Sequence, residues 1–363
     1  MSVKLSPPTL APKILGIETS LPPYEVTLKA LLPWVREWVK DGDPAFQDKV
    51  ERIFRHAEVE RRYTILPLDE IFRPRSFAAA NQIYRTEIVP LAEEAFRKAL
   101  AATQLEPTEI DCLIVTSCTG HMSPSLDAFL INRLGMRADV QRMPVMEMGC
   151  IGGAVGLMYA ENYLRAYPHH KVALIAAELT SVTFQREDFS WANIVSSAIF
   201  GDGVACAILG QNEKIGPRII ASRMHHFPES VNLLGFDLSN SGFRMVLAPE
   251  LPDVIRANFH EFMAPLLQSV GWSLQDVEHF IVHPGGKKIL HNIELQLRKE
   301  KGVRNLALTD SRSVLREMGN MSSATVLFIL QRMLTRQILV GEKGMLLGFG
   351  PGLTAASCLL ECS

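Results

Sequence analysis

A cysteine, a histidine and an asparagine stand where a chain of this kind could do chemistry. Cys150 lies in Met148-Gly-Cys-Ile-Gly-Gly153, where the run from Arg142 stops and a helical pattern reaching to about Tyr167 begins. A thiol at the tip of such a strand-to-helix elbow sits over unpaired backbone N–H groups and the positive end of the helix dipole. That setting favours thiolate over thiol, and therefore a nucleophile. A buried, inert cysteine is the commoner case, and the elbow is what argues against it here. Gly149, Gly152 and Gly153 are expected to clear the turn so that a substrate reaches the sulfur. His283 ends the apolar stretch Phe280-Ile-Val282 and opens His283-Pro-Gly-Gly286, the strand-end position at which layered α/β folds build their sites. Asn320 in Met318-Gly-Asn320 precedes the helical pattern Ser323 to Leu334, just as Cys150 precedes its own. Thiol, imidazole and carboxamide together fit cysteine-nucleophile chemistry. No second His, Cys or carboxylate has ligand spacing to them, so no metal is expected.

The elements that must position these residues alternate. Strands are predicted at Lys13 to Thr19, Glu109 to Ser117, Val172 to Glu178 and Gly201 to Gly210. Helices are predicted at Leu28 to Lys40, interrupted at Pro33, and at Gln47 to Val59, Arg85 to Ala102 and Asp127 to Leu134. The second of these carries Lys49, Arg52, Arg55 and His56 and runs into Arg61-Arg62-Tyr63, which reads either as a solvated face or as an anion patch. The rest of the chain repeats the pattern, with a helix at Asp253 to Val270 and strands at Val277 to Val282, Lys343 to Gly350 and Leu353 to Leu360. The spacing from strand to elbow is nearly the same in both parts. The reading is an internal duplication, residues 1–215 and 216–363, whose two elbows face each other and bring Asn320 beside Cys150.

A chain of 363 residues with 47% hydrophobic and 21% charged residues is ordinary globular composition, which excludes disorder. Its net charge of −2 gives no general case for nucleic acid or membrane surface, so an anionic ligand must meet a local basic patch. The 6 cysteines form no CxxC pair and are expected to be reduced. Cys118, Cys206 and Cys358 are read as packing residues, with Cys112 and Cys362 beside them. His169-His170 and His225-His226 fall in loop-like stretches. Met1 to Pro12 lacks a signal-peptide pattern, and no run approaches the ~18 apolar residues of a membrane helix, so a soluble, cytoplasmic protein is expected.

The elbow at Cys150, Val282-His283-Pro-Gly-Gly286, Gly319-Asn320-Met-Ser-Ser-Ala324 and the loop Gly348-Phe-Gly-Pro-Gly352 carry a resemblance that spans nearly the whole chain. It resembles the chalcone synthase-like type III polyketide synthases, closest in character to the bacterial alkylpyrone and alkylresorcinol synthases. The resemblance implies an α/β, thiolase-like fold with a duplicated five-layered αβαβα core. It implies a homodimer that condenses an acyl-CoA starter with malonyl-CoA and needs no cofactor, with an acyl carrier protein as a further candidate partner. Cys150 would hold the acyl chain as a thioester. His283 and Asn320 would bind the malonyl thioester carbonyl and stabilise the enolate left by decarboxylation. His283 would also pair with the Cys150 thiolate and lower its pKa. Phe200 would be the gatekeeper, with Thr180, Thr183, Ser322, Gly350 and Pro351 around the cavity, and Lys49, Arg52 and His56 would meet the CoA phosphates.

The sequence also departs from the plant enzymes. Met245 stands where they carry a second gatekeeper phenylalanine, although Phe243 is two residues away, and Cys118 replaces a cavity threonine. Gly120-His-Met-Ser-Pro124 differs from the stretch that reaches into the partner subunit. A flexible Met and a small Cys suit an aliphatic acyl starter better than a coumaroyl ring, with a pyrone or resorcinol-type product. Three alternatives stand beside this reading. A ketoacyl-acyl-carrier-protein synthase III would stop after one condensation, and Gly348 to Gly352 argues against it. A chalcone synthase-like enzyme would take an aromatic starter. A silent thiolase-fold partner subunit would not keep Cys150, His283 and Asn320 together.

Overall fold

The apolar runs become the middle of one sheet in the computed structural model, which describes residues 11–302, 308–336 and 338–363. The first ten residues of the N-terminal stretch read above lie outside that set. In chain order the elements of the first half are β1 (Lys13–Ser20), β2 (Tyr24–Thr27), α1 (Leu28–Trp38), α2 (Pro44–Arg55), β3 (Arg61–Thr64), α3 (Leu68–Ile71), α4 (Phe77–Thr103), β4 (Cys112–Ser117), α5 (Leu126–Leu134), β5 (Gln141–Met146), α6 (Gly152–Ala166), β6 (Val172–Glu178), α7 (Trp191–Ile199) and β7 (Gly203–Gly210). The second half follows with β8 (Pro217–His226), β9 (Leu234–Ser239), β10 (Gly242–Leu247), α8 (Leu251–Ala257), α9 (Phe259–Ser269), β11 (His279–Val282), α10 (Lys287–Lys301), α11 (Thr309–Met318), α12 (Thr325–Leu334), β12 (Lys343–Gly350) and β13 (Thr354–Cys362).

Among the described residues nine strands run in the order β11-β12-β13-β8-β1-β7-β6-β4-β5. The order is the same motif written twice. In the first half β1 pairs antiparallel with β7, β7 antiparallel with β6, and β6 parallel with β4. In the second β8 pairs antiparallel with β13, β13 antiparallel with β12, and β12 parallel with β11. The halves join where Lys13 faces Arg218. Central strands alternate between two cores, as the period of two requires. On β4, Leu113 and Val115 pack with α4 and α5, whereas Cys112 and Ile114 pack with α6 and α12. On β12, Leu346 faces that same central pair of helices, while Met345 and Leu347 face α8, α9 and α10. The result is the thiolase-like αβαβα stack, with α6 and α12 as its middle layer. Among the described residues no helix is long and apolar enough to cross a membrane.

Four local departures have physical causes. α2 begins at Pro44, capped by Asp43 accepting from the Phe46 N–H at 2.8 Å, and it stops at Arg55 instead of running to Val59. The chain then turns into β3, which pairs with β2, so Arg61-Arg62-Tyr63 is a strand. The long helix expected from Asp253 to Val270 breaks at Asn258, whose side-chain N–H donates to the Val254 carbonyl at 2.8 Å in competition with the helical backbone. His225 and His226 close β8 and do not lie in a loop. Finally, Gly152 and Gly153 serve the fold rather than substrate access. A Cβ on Gly153 would stand 2.3 Å from the Ser323 carbonyl oxygen, and one on Gly152 2.8 Å from the Ser323 Cβ. Their bareness lets the two helix starts touch.

Candidate active site

Both elbows enter their helices through a 3₁₀ turn, Gly149–Ile151 before α6 and Ser322–Ala324 before α12. Asn320 is fixed by its backbone to the end of α7: its N–H donates to the Ile199 carbonyl at 2.7 Å, and its carbonyl accepts from the Gly201 N–H at 3.0 Å. Its side-chain oxygen accepts from the Ser322 N–H at 2.9 Å and the Thr325 hydroxyl at 3.3 Å. Because an amide N–H can only donate, this pins the orientation and leaves the Asn320 NH₂ free for Cys150. Side-chain hydrogen bonds from Ser322 and Asn320 reach the sulfur. The facing elbows inferred from the Met-Gly-Cys and Met-Gly-Asn repeat are thus in contact.

Electrostatically the site differs from expectation. Burial pushes the Cys150 thiol up to about 11, and the bonds from Ser322 and Asn320 only partly oppose it. A rise from the usual 9 corresponds to roughly 3 kcal/mol against the thiolate, more than the ~0.3–1 kcal/mol a helix terminus supplies. His283 follows β11 directly, anchored by its N–H to the Leu347 carbonyl at 2.8 Å. It is buried, neither ring nitrogen has a hydrogen-bond partner among the described residues, and burial pulls its pKa down to about 3. Burial thus disfavours the charged form of both groups, which opposes the expected imidazolium–thiolate pair and the pull of the helix start.

Glu178, the last residue of β6, was missed as a site residue. Its carboxylate is fully buried and accepts from Ser323 Oγ at 2.5 Å, Thr119 Oγ1 at 2.7 Å and the Cys118 N–H at 3.0 Å. Burial raises its pKa. Cys118, which the sequence places among both the packing and the cavity residues, lines the cavity beside Cys150. Its sulfur stands 3.5 Å from Glu178 Oε1 and 3.2 Å from Ser322 Oγ, so Ser322 touches both thiols. The signal was in the sequence: a carboxylate closing an otherwise apolar run, at the C-terminal end of a central strand.

Cys118, Cys150, Thr180, Thr183, Phe200, Met245, Ser322 and Pro351 line a cavity of about 20 Å³, room for about one water. Thr180, Thr183, Phe200 and Met245 also border a second, apolar compartment of about 70 Å³ reaching Leu31, Ile71 and Phe72. Phe236, unanticipated, faces Met245 across the β9–β10 hairpin and lines both spaces, while Phe243 packs on Phe77 and Phe236. Gly350 does not line the cavity. A Cβ there would lie 2.7 Å from Ile151 Cγ1 and 2.8 Å from the Met148 carbonyl, so its bareness seats β12 against the cysteine elbow. Phe200 is held by Arg62, which is buried and donates to the carbonyls of Ser197, Phe200 and Ala198 at 2.8, 2.8 and 2.6 Å. Burial draws the Arg62 pKa down to about 10 and pushes that of neighbouring Asp202 up to about 6. Arg62 is thus no part of a solvated basic run.

Lys49, Arg52 and His56 line a separate cleft of about 620 Å³, together with Trp191, Lys287 and Lys288. Ala198 and Ile199 belong to this cleft and Phe200 to the cavity, so the end of α7 separates the two. His56 caps α2, with Nδ1 2.7 Å from the Arg52 carbonyl.

Residues 10–213 match the family model for chalcone and stilbene synthases, N-terminal domain, and residues 218–362 the model for the C-terminal domain. A 1,3,6,8-tetrahydroxynaphthalene synthase of Streptomyces peucetius subsp. caesius is 37% identical over 354 residues, covering 96% of this chain and 92% of that protein. A phloroglucinol synthase of Pseudomonas fluorescens is 30% identical over 317 residues, covering 86% and 88%. The crystal structure of 1,3,6,8-tetrahydroxynaphthalene synthase from Streptomyces coelicolor A3(2), described as a bacterial type III polyketide synthase, superposes with a TM-score of 0.91 at 28% identity, covering 97% of this chain and 99% of that one.

Proposed function

We propose a reaction from the premise that the chain belongs to the chalcone and stilbene synthase family and is a type III polyketide synthase, an acyl-condensing enzyme. An acyl-CoA enters past the basic cleft, and Cys150 attacks its thioester carbonyl while His283, neutral at rest, takes the thiol proton as a general base. The acyl group passes to sulfur, its C–S bond to CoA breaks, and the departing CoA thiolate takes the proton from His283 to leave as free CoA. Malonyl-CoA follows. Its thioester oxygen lies between the His283 and Asn320 N–H groups, CO₂ departs, and the enolate carbon attacks the Cys150-bound carbonyl, breaking the C–S bond so that Cys150 leaves as thiolate and the chain, two carbons longer, stays on CoA. No metal or organic cofactor enters these steps, and the working unit is a homodimer. The observation that carries the reading is the fully buried His283 imidazole, neither of whose ring nitrogens has a hydrogen-bond partner among the described residues. A buried polar group without a partner costs about 1–3 kcal/mol, and such a cost is retained where a substrate oxygen will meet it.

The starter is aliphatic, because the space beyond Phe200 and Met245 is mainly apolar, with Leu31, Ile71 and Phe72 beside the smaller polar Thr64, Asn193 and Ser196, and the chain closes to a pyrone or resorcinol-type ring. A second reading has support from the relatives' names. A tetrahydroxynaphthalene carries the alternating oxygens of a chain built wholly from two-carbon units, which malonyl-CoA alone would supply and the small cavity would suit. Incubation with malonyl-CoA alone, then with acyl-CoAs of increasing length and with coumaroyl-CoA, and mass analysis of products and of the intact protein, separates the two. Absence of both acylation and product with every thioester would overturn the condensing reading itself.

A further inference from the structure

Trp191 opens α7 on the wall of the basic cleft and is 42% exposed, unusual for so large an aromatic. Phe46 packs against it at 5.5 Å between centroids, and the Lys49 ammonium stands 3.8 Å from the ring centroid. The cations around it divide into two kinds. Lys288 stands 3.5 Å from Asp253, whereas Lys49, Arg52 and Lys287, which line the same cleft, have no carboxylate partner among the described residues. The cleft thus offers an indole face covered by a flexible side chain, uncommitted positive charge from Lys49, Arg52 and Lys287 along its lining, and a volume of about 620 Å³.

We propose that Trp191 is the platform on which the adenine of the CoA thioester stacks, the Lys49 ammonium leaving the ring for a phosphate as the base arrives. This rests on the reading of the Cys150 cavity as a CoA-thioester condensing site. An ammonium over an exposed ring is held weakly, whereas a purine covers the indole face with a ring system of matching size. The exchange also resolves a mismatch: Lys49 cannot serve a phosphate while it lies over the indole, and His56, the third position expected to meet phosphate, has Nδ1 engaged by the Arg52 carbonyl. Lys287, in the first turn of α10, supplies the remaining uncommitted charge.

The test uses adenosine 3′,5′-bisphosphate, the nucleotide end of CoA without its thiol arm. By calorimetry it should bind wild type and Cys150→Ala alike, bind Trp191→Ala about 5- to 150-fold more weakly, and bind Trp191→Phe nearly as wild type. In turnover, the ratio of kcat/KM for an acyl-CoA to that for the same acyl group on pantetheine should fall by a similar factor in Trp191→Ala. Failure of the bisphosphate to bind wild type, an unchanged affinity and ratio in Trp191→Ala, or an equal loss on both thioesters would each overturn the platform. A protein that binds the nucleotide through Trp191 but condenses no thioester would instead overturn the reaction and leave the platform standing.

Discussion

The two halves bring the same backbone to the site and hang different groups on it. Directly after β4 comes Cys118, and directly after β11 comes His283. One elbow carries Cys150 and the other Asn320, each before a 3₁₀ turn or within one. β6 ends in Glu178 and β12 in Gly350. The first half therefore supplies sulfur and a carboxylate, which holds Cys118, Thr119 and Ser323 in place. The second supplies nitrogen donors and a bare backbone against which the cysteine elbow rests. Duplication created two equivalent positions at each level, and the difference between them makes a polar reaction possible, since a nucleophile and its oxyanion donors cannot be the same groups.

The largest test of that division removes the sulfur. Cys150→Ala should show no acyl adduct by intact mass and lose condensation by about 10⁴-fold or more, whereas Cys118→Ala should still acquire the adduct. An adduct that moves to Cys118 in the Cys150 variant would make the thiols interchangeable. Next comes the amide. Asn320→Ala should still load the starter, with only a modest loss because its bond to the Cys150 sulfur opposes burial in part, but release acetyl-CoA from malonyl-CoA about 10²- to 10³-fold more slowly. His283→Ala should lose both steps. Rapid-quench loading and decarboxylation measured on each variant decide this, and an Asn320 variant that fails to load would place the amide on the nucleophile's side of the comparison.

The contact between the halves is tested by glycine. Gly153→Ala sets a Cβ 2.3 Å from a backbone oxygen that has no rotamer to change, and should cost about 3 kcal/mol in urea unfolding. Gly348→Ala, whose nearest neighbour is 3.4 Å away, should cost under about 1 kcal/mol. Equal losses would mean that the elbows yield to each other and that their register is not set by bare backbone.

Much of this arrangement could be read from the chain because it rests on local pattern. β6 was legible from an unbroken apolar run, and the two elbows from Met-Gly-Cys and Met-Gly-Asn at similar distances from their strands. What escaped depends on partners far away in sequence. Arg62 reads as one more exposed basic residue until the end of α7, more than a hundred residues on, offers it three carbonyls. Glu178 looks like the polar end of a strand until Ser323 and Thr119 converge on it. Phe236 acquires meaning only opposite Met245 in a hairpin whose alternation and Asn240-Ser241 turn were there to be read. The charge state of Cys150 depends on the same kind of information: the helix start is visible in sequence, but the depth of burial that opposes it is not.

That charge state gives the smallest and sharpest prediction. His283 has a folded pKa of about 3 against an ordinary 6.5, so below neutrality the unfolded chain takes up its proton first and stability falls as pH falls. The loss should be about 2 kcal/mol between pH 7.5 and 5. Asp202 works in the opposite sense. Its folded pKa of about 6 exceeds the ordinary 3.8, so the folded protein holds the extra proton and gains about 1 kcal/mol over the same range. Glu178, whose pKa burial also raises, acts in the same sense as Asp202, so the wild-type curve shows only the net effect and variants are needed to separate the contributions. His283→Gln should remove the acid-side loss and leave the Asp202 gain, so that the variant is stabilised on acidification, while Asp202→Asn should steepen the wild-type loss. Urea midpoints at several pH values measure both. If the wild type instead gains stability relative to His283→Gln as the pH falls, the imidazole is charged in the folded protein. The imidazolium–thiolate pair expected from sequence would then be the resting state, and the neutral donor assigned to the second half would have to be a cation.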